Sequence, residues 1–288
     1  MKDLGEKWLE RSSGKRSLRH DKQRWGRIEE FFGPDRNIAA ILTEDVIEFR
    51  DALGKEDTRR ISDEAKAKDP KHRKLMAPAT VNRHLALLRS ALRYAEKSLR
   101  QRTLDPTSGV EMLDELNERD RLWTAKEYEQ LREAAPPALR LAIIFAYWTG
   151  MRLGEITSLQ WEQVDIKAGV ARLKSKDTKT KEARIVPLPV AVLDALTEEA
   201  RPVGGGALFK VRSSSLSPLF TRLARELEIE NIRLHDARHT AATRLRRAGV
   251  DVLTIQRITG HKTLDMLRRY NTITEEDLVA AVAKATGL

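Results

Sequence analysis

The sequence predicts a mainly α-helical protein with one small antiparallel β-sheet, arranged as two modules. Three observations predict this. Apolar residues recur at helical spacing over most of the 288 residues. The pattern shifts to short strand-like runs only between Val164 and Pro187. An acidic connector also separates two basic blocks: residues 1–110 carry 25 Lys/Arg against 18 Asp/Glu, 111–121 carry 2 against 5, and 122–288 carry 26 against 20. Two basic modules flanking an acidic joint suit a chain that grips one polyanion from two sides.

The first module is expected to span 1–110 and to be helical. Its first predicted helix places Leu18, Trp25, Ile28 and Phe32 near a helical period and ends at Gly33-Pro34; about 15 residues are expected to precede it. Thr43 reads as an N-cap, with Glu44 and Asp45 in the first turn and Val46, Phe49 and Leu53 as the buried stripe. Residues 54–78 carry eight Lys/Arg and five Asp/Glu with almost no apolar period, so they read as a solvated loop. A strong helix follows, with Leu85, Leu88, Leu92 and Ala95 on its apolar face and Arg83, Arg89 and Arg93 elsewhere on it as candidate DNA contacts.

A linker is expected over 111–123 and a second module over 124–288. Thr124 and Glu127 form a capping box that opens it. The apolar run ALRLAIIFAYWTG predicts a buried helix ending at Gly150. Strands are expected at 164–166, 170–173 and 183–186, then helices at 189–200, about 215–227, 236–248, 251–259, 263–270 and 275–285. Asp251 reads as the cap of the helix after Gly249.

The totals exclude several classes. The chain has no cysteine, which removes disulfides, thiolate zinc sites and cysteine nucleophiles. No window approaches 18 apolar residues, so no membrane partner is expected. The N-terminus lacks a signal-peptide core, which predicts a cytoplasmic protein.

Three of the six histidines, His235, His239 and His261, fall close together in sequence. A metal is the first thought, but Arg238 lies between them and no carboxylate set completes the ligands. An anion suits the cluster better. His235 and Arg238 lie three apart at a helix start, on one face, where free N–H groups also favour negative charge. Arg152 sits in the turn after Gly150, and Glu155 three residues on could orient it.

Metal-free phosphodiester chemistry needs a nucleophile, cations around the non-bridging oxygens and a proton donor for the leaving oxygen. Arginine forks suit the clamp. Lysine suits the donor because its pKa falls among other cations, and the stretch KSKDTKTKEARIVPL offers lysines at 174, 176, 179 and 181. Tyrosine suits the nucleophile where nearby cations favour its phenolate. Tyr94 and Tyr147 lie in apolar helical runs and Tyr128 in a capped first turn, which leaves Tyr270, in GHKTLDMLRRY, as the one placed for it.

The order TGMRLGEI, a lysine hairpin ending in IVPL, LHDARHTAATRL and then GHKTLDMLRRY resembles the catalytic domain of the tyrosine recombinases, the phage integrases, over about residues 122–275. By pattern and charge, residues 1–110 resemble that family's helical core-binding domain. The fold so implied is a SAM-like core-binding domain followed by a DNA breaking-rejoining catalytic domain. Carried over motif by motif, the resemblance makes Arg152 and Arg238 the clamp arginines. His235 and His261 become their companions and Tyr270 the nucleophile. Lys179, counted back from Val186-Pro187-Leu188, is the general acid, with Lys176 and Lys181 as alternatives. Glu155 and His239 take supporting roles.

The resemblance implies a 3′-phosphotyrosyl intermediate and transfer to a partner duplex, with no metal and no cofactor. It also implies a homotetramer on two double-stranded DNA sites, with accessory DNA-bending factors as compatible partners. An additional N-terminal arm-binding domain, carried by larger phage integrases, would not fit in 15 residues, which suggests a simple recombinase or a truncated form. Two rivals remain at this stage. ATRLRRAGVDVLTIQRITG could form a regulator's helix-turn-helix, and a type IB topoisomerase would share the chemistry without pairing sites.

Overall fold

The computed structural model describes residues 1–15, 17–59, 74–100, 105–115, 119, 121–175, 182–199, 204–264, 267, 279 and 282–283. The chain divides into two compact units, Met1–Glu118 and Arg119–Leu288, parted within the acidic connector.

The first unit contains helices α1 (Lys2–Arg11), α2 (Leu18–Phe32), α3 (Thr43–Lys55) and α4 (Pro78–Leu99). Helix α1 corrects the expectation that about 15 residues precede the first helix. Its charged sequence hides a short stripe, Leu4 and Trp8, that with Met1 joins Trp25, Ile28, Phe49, Leu85, Leu88 and Leu92 in one core. Gly5 makes this possible, because a Cβ there would lie 1.8 Å from Trp25 Nε1. Thr43 is the first helical residue rather than the cap. Leu42 precedes the helix, and its N–H is taken by the Asp45 carboxylate at 2.9 Å. Of the charged stretch 54–78, residues 60–73 lie outside the described residues, while Asp57 bridges to Leu75 and Met76 is buried.

The three candidate arginines of α4 differ. Arg89 is half-buried and donates from Nε to Thr107 Oγ1 at 3.0 Å and from Nη2 to Thr107 O at 2.8 Å. Arg83 is exposed, and Arg93 is exposed beside Asp105 at 3.6 Å. If Arg83 and Arg93 meet DNA phosphates, replacing either with alanine should lower the slope of log affinity against log salt by about one ion. Arg89→Ala should instead lower stability by about 1–3 kcal/mol, since it strands a buried carbonyl. Salt-titrated binding and thermal unfolding separate the two.

In the second unit α5 (Ala125–Ala134) opens on the predicted capping box, with Thr124 Oγ1 accepting from Glu127 N and Glu127 Oε2 accepting from Thr124 N. Helix α6 (Pro137–Thr149) is buried on almost every side and forms the centre of the unit's core. It packs against α5, α8 (Val190–Thr197) and α10 (Asp236–Arg247). Between them run the short α7 (Leu153–Thr157) and a three-stranded antiparallel sheet, β1 (Val164–Asp165), β2 (Val170–Leu173) and β3 (Arg184–Pro187), paired in that order. Ala171 opposes Val186, and both face the core, while Ile185 faces out. The third strand thus begins one residue later than expected. Helices α9 (Ser213–Glu226) and α11 (Val252–Thr259) also belong to the unit, and Asp251 caps α11 by accepting from Thr254 N at 2.9 Å. The helix expected over 275–285 falls almost entirely outside the described residues.

Candidate active site

Three arginines from three sequence motifs converge on the C-terminal end of α11. A helix leaves its last carbonyls without intrahelical partners and carries partial negative charge there. Here Ile258 O accepts from Arg184 Nε at 3.2 Å, Thr259 O from Arg238 Nη1, and Gly260 O from Arg152 Nη2 at 2.6 Å. Gly260 closes the helix in the left-handed region at φ 70°. A Cβ on it would lie 2.7 Å from Arg184 Cζ, so a side chain there would push that guanidinium from its place.

Glu155, with 3% of its surface exposed, sits among them. It accepts from Arg152 N and Nη1 at 3.0 and 3.1 Å, and from Arg184 Nη1 and Nη2 at 3.2 and 2.6 Å. Burial by itself would raise its pKa, but the hydrogen bonds and charge of Arg184, then Arg152, hold it below the usual carboxylate range. Glu155 is therefore an anion, and one carboxylate faces three guanidinium groups.

Arg238 is almost fully buried. Its Nη1 bridges Thr259 O and Gly150 O, the latter at 2.7 Å, so it joins the end of α6 to the end of α11. Its Nη2 is buried with no hydrogen-bond partner among the described residues. Burial, and then the charge of Arg152, push its pKa down to about 9, which still leaves it cationic at neutral pH. The start of α10 that carries it is fixed by Asp236. That carboxylate accepts from Arg119 Nε and Nη2 at 2.7 and 2.6 Å and from Arg233 N at 2.8 Å.

His261 follows Gly260 and is buried, with Nδ1 2.7 Å from Thr259 Oγ1. Burial first, then the cations Arg238 and Arg152, push its pKa down to about 2. It is a neutral imidazole across the working range. Because the unfolded chain takes up a proton near pH 6.5 and the folded one does not, the stability this group contributes is present above pH 6.5. It is lost as pH falls toward 2. Between those limits unfolding free energy should fall by up to about 1.4 kcal/mol per pH unit, and His261→Gln should flatten that slope in denaturant titrations. His239 is buried and His235 exposed at the helix start, with their rings edge to face at 5.4 Å.

The structure thus brings Arg152, Glu155, Arg238 and His261 together, with His235 and His239 close enough to lower the His261 pKa further. Lys176, Lys179, Lys181 and Tyr270 lie outside the described residues. Leu267, three residues before Tyr270, is buried against Ala242 and Ile255. Leu264, on the same stretch, is 46% exposed. The remaining tyrosines are differently placed. Tyr128 and Tyr147 stack in the core at 4.0 Å, Trp148 Nε1 donates to Tyr128 OH at 2.9 Å, and burial raises the Tyr128 pKa. Tyr94 belongs to the other unit.

Arg184 is the site residue that sequence reasoning missed. It begins β3 directly before Ile185-Val186-Pro187, and a single buried arginine leaves no periodic trace. Its only cue was a cation opening an otherwise apolar strand.

Comparison with known proteins bears on this arrangement. The model of the phage integrase family matches residues 121–277. The chain is 32% identical over 250 residues to the shufflon-specific DNA recombinase of Escherichia coli, an alignment covering 85% of this chain and 61% of that protein. It is 28% identical over 291 residues to the integrase of Salmonella phage P22, covering 92% and 74%. Among solved structures, the Tn1549 transposon integrase in complex with a circular intermediate DNA superposes with a TM-score of 0.73 over 98% of each chain. At 19% identity that likeness shows the fold. Since the family model spans more than half of the sequence and takes in all four motifs around the arginine cluster, this chain belongs to the phage integrase family.

Proposed function

We propose that the protein is a site-specific DNA recombinase that cuts and rejoins double-stranded DNA through a 3′-phosphotyrosyl intermediate. The observation that carries this reading is Arg238. A buried guanidinium with one unpaired donor costs about 1–3 kcal/mol unless an acceptor arrives, and a phosphate oxygen beside Arg152 is the acceptor that its charge and fork favour.

In this reading Tyr270, as the phenolate that nearby cations favour, attacks the scissile phosphorus. An O–P bond forms, the bond to the 5′ oxygen breaks, and Lys179, with Lys176 and Lys181 as alternatives, supplies the proton for that leaving oxygen. Arg152, Arg238, His235 and His261 stabilise the extra negative charge on the non-bridging oxygens. Glu155 and Arg184 hold Arg152 against the end of α11, and His239 supports the histidine side. A 5′ hydroxyl from a second duplex reverses the step, so the phosphodiester bond energy is retained without a cofactor. The first unit serves as a core-binding domain gripping the same DNA, with Arg83 and Arg93 on its phosphates. Four copies act on two sites in the cytoplasm, with accessory DNA-bending factors where the site requires them, to integrate or excise a mobile element or prophage.

A nicked suicide duplex tests the proposal. The recombinase reading expects a protein–DNA adduct that survives SDS, and joining of paired sites separates it from strand relaxation by a topoisomerase. Reversible, salt-sensitive binding with no adduct would refute the proposal.

A further inference from the structure

We propose that Thr259 is a positioning residue that holds His261 in the tautomer protonated on Nε2, and so sets the ability of that imidazole to donate to a phosphate oxygen. The proposal rests on the cleavage reading above.

Thr259 is the last residue of α11 and is completely buried. Its methyl group packs beneath Gly150, where an added Cβ would come within 3.3 Å of Thr259 Cγ2. With the methyl so placed, the hydroxyl lies between two partners: Ile255 O, which can only accept, at 2.6 Å, and His261 Nδ1, which donates or accepts according to the ring's tautomer, at 2.7 Å. A hydroxyl has one proton, so it donates to one of them at a time. If it donates to Ile255 O, it must accept from Nδ1–H, and the neutral ring then carries a bare Nε2. If it donates to Nδ1, the ring carries its proton on Nε2. Ile255 O, lying within α11, is the kind of carbonyl that a helix already supplies with a backbone N–H.

The phosphate decides between the two arrangements. A phosphodiester offers oxygen acceptors only, and the neutral His261 has a single N–H. A second proton on the ring is opposed by burial and by the neighbouring Arg238 and Arg152. The imidazole can therefore favour a phosphate oxygen only through Nε2–H, and this requires a donor at Nδ1. Thr259 has its oxygen within hydrogen-bonding distance of that nitrogen and a proton to give. The same residue's backbone carbonyl holds Arg238, so one buried threonine aligns both a clamp arginine and the adjoining histidine.

The test uses the full chain labelled with 15N-histidine, as Tyr270→Phe, bound to the duplex recovered by covalent trapping. His261 Nδ1 is expected to show the shift of an unprotonated ring nitrogen and Nε2 that of a protonated one. Thr259→Val keeps the shape and removes the hydroxyl. With Tyr270 intact it should cleave a suicide duplex about tenfold more slowly, and Thr259→Ser should restore most of the rate. A protonated Nδ1 in the complex, or Thr259→Val cleaving at the unaltered rate, would overturn the role of Thr259 while leaving the cleavage reading intact. Failure of the unaltered protein to form any adduct would instead reject the cleavage reading, and this role with it.

Discussion

Replacing Arg238 with lysine is expected to slow DNA cleavage about 10²–10³-fold, the range seen when one preorganised donor to a developing oxyanion is removed. The charge survives the change, so a purely electrostatic role would survive with it. The fork does not. Arg238 uses Nη1 to bridge Gly150 O and Thr259 O, which leaves Nη2 for a ligand. A lysine ammonium is one point on a flexible stem and cannot hold both carbonyls and a phosphate oxygen in fixed geometry. Alanine is the poorer test, because it strands two buried carbonyls at about 1–3 kcal/mol each and confounds folding with chemistry. Single-turnover cleavage measured beside thermal unfolding decides the matter. A lysine variant that cuts at the unaltered rate would remove Arg238 from the clamp.

The largest effect on stability is expected from Glu155→Gln. Among the described residues, Glu155 is the carboxylate paired with both Arg152 and Arg184, and it accepts four hydrogen bonds from them. Breaking a buried ion pair by removing one partner costs about 3–5 kcal/mol, because the other charge stays buried and uncompensated. For a unit of this size that corresponds to a fall in Tm of roughly 6–20 °C. Adding Arg184→Met should restore part of the loss, since it removes the stranded cation. Cleavage should stay slow in the double variant, because Arg152 has still lost its anionic partner. If Glu155→Gln melts with the unaltered protein, the carboxylate is not the counter-ion of the cluster.

Much of this was legible in the sequence, for physical reasons that differ from element to element. The capping box at Thr124, the αL stop at Gly150 and the cap at Asp251 are local signals, carried by a few adjacent residues, and each lies where it was read. Arg152, Glu155, Arg238 and His261 are the residues the motifs single out; in the structure Arg152 and Arg238, with Arg184, meet orphan carbonyls at the end of α11, Glu155 pairs with Arg152 and Arg184, and His261 follows directly after that end. That end was not legible as a docking point, because nothing local marks a helix whose last three carbonyls are met by arginines from distant segments. Arg184 was missed for the same reason, since its value lies wholly in tertiary contacts. Helix α1 was missed because its two buried large apolar residues, Leu4 and Trp8, sit among charges. What makes it pack is Gly5, whose bare Cα lets the Trp25 indole in. The loop after α3 ran the other way: its charge was read as solvation throughout, yet Met76 at its end is buried against the first unit's core.

The identity of the residue linked to DNA tests the central claim most directly. Protein trapped on a nicked duplex would be digested with protease and nuclease, and the nucleotide-bearing peptide sequenced by mass spectrometry. The account predicts a nucleotide joined through its 3′ phosphate to Tyr270, with a free 5′ hydroxyl on the other product. A link to any other side chain, or through a 5′ phosphate, would contradict it.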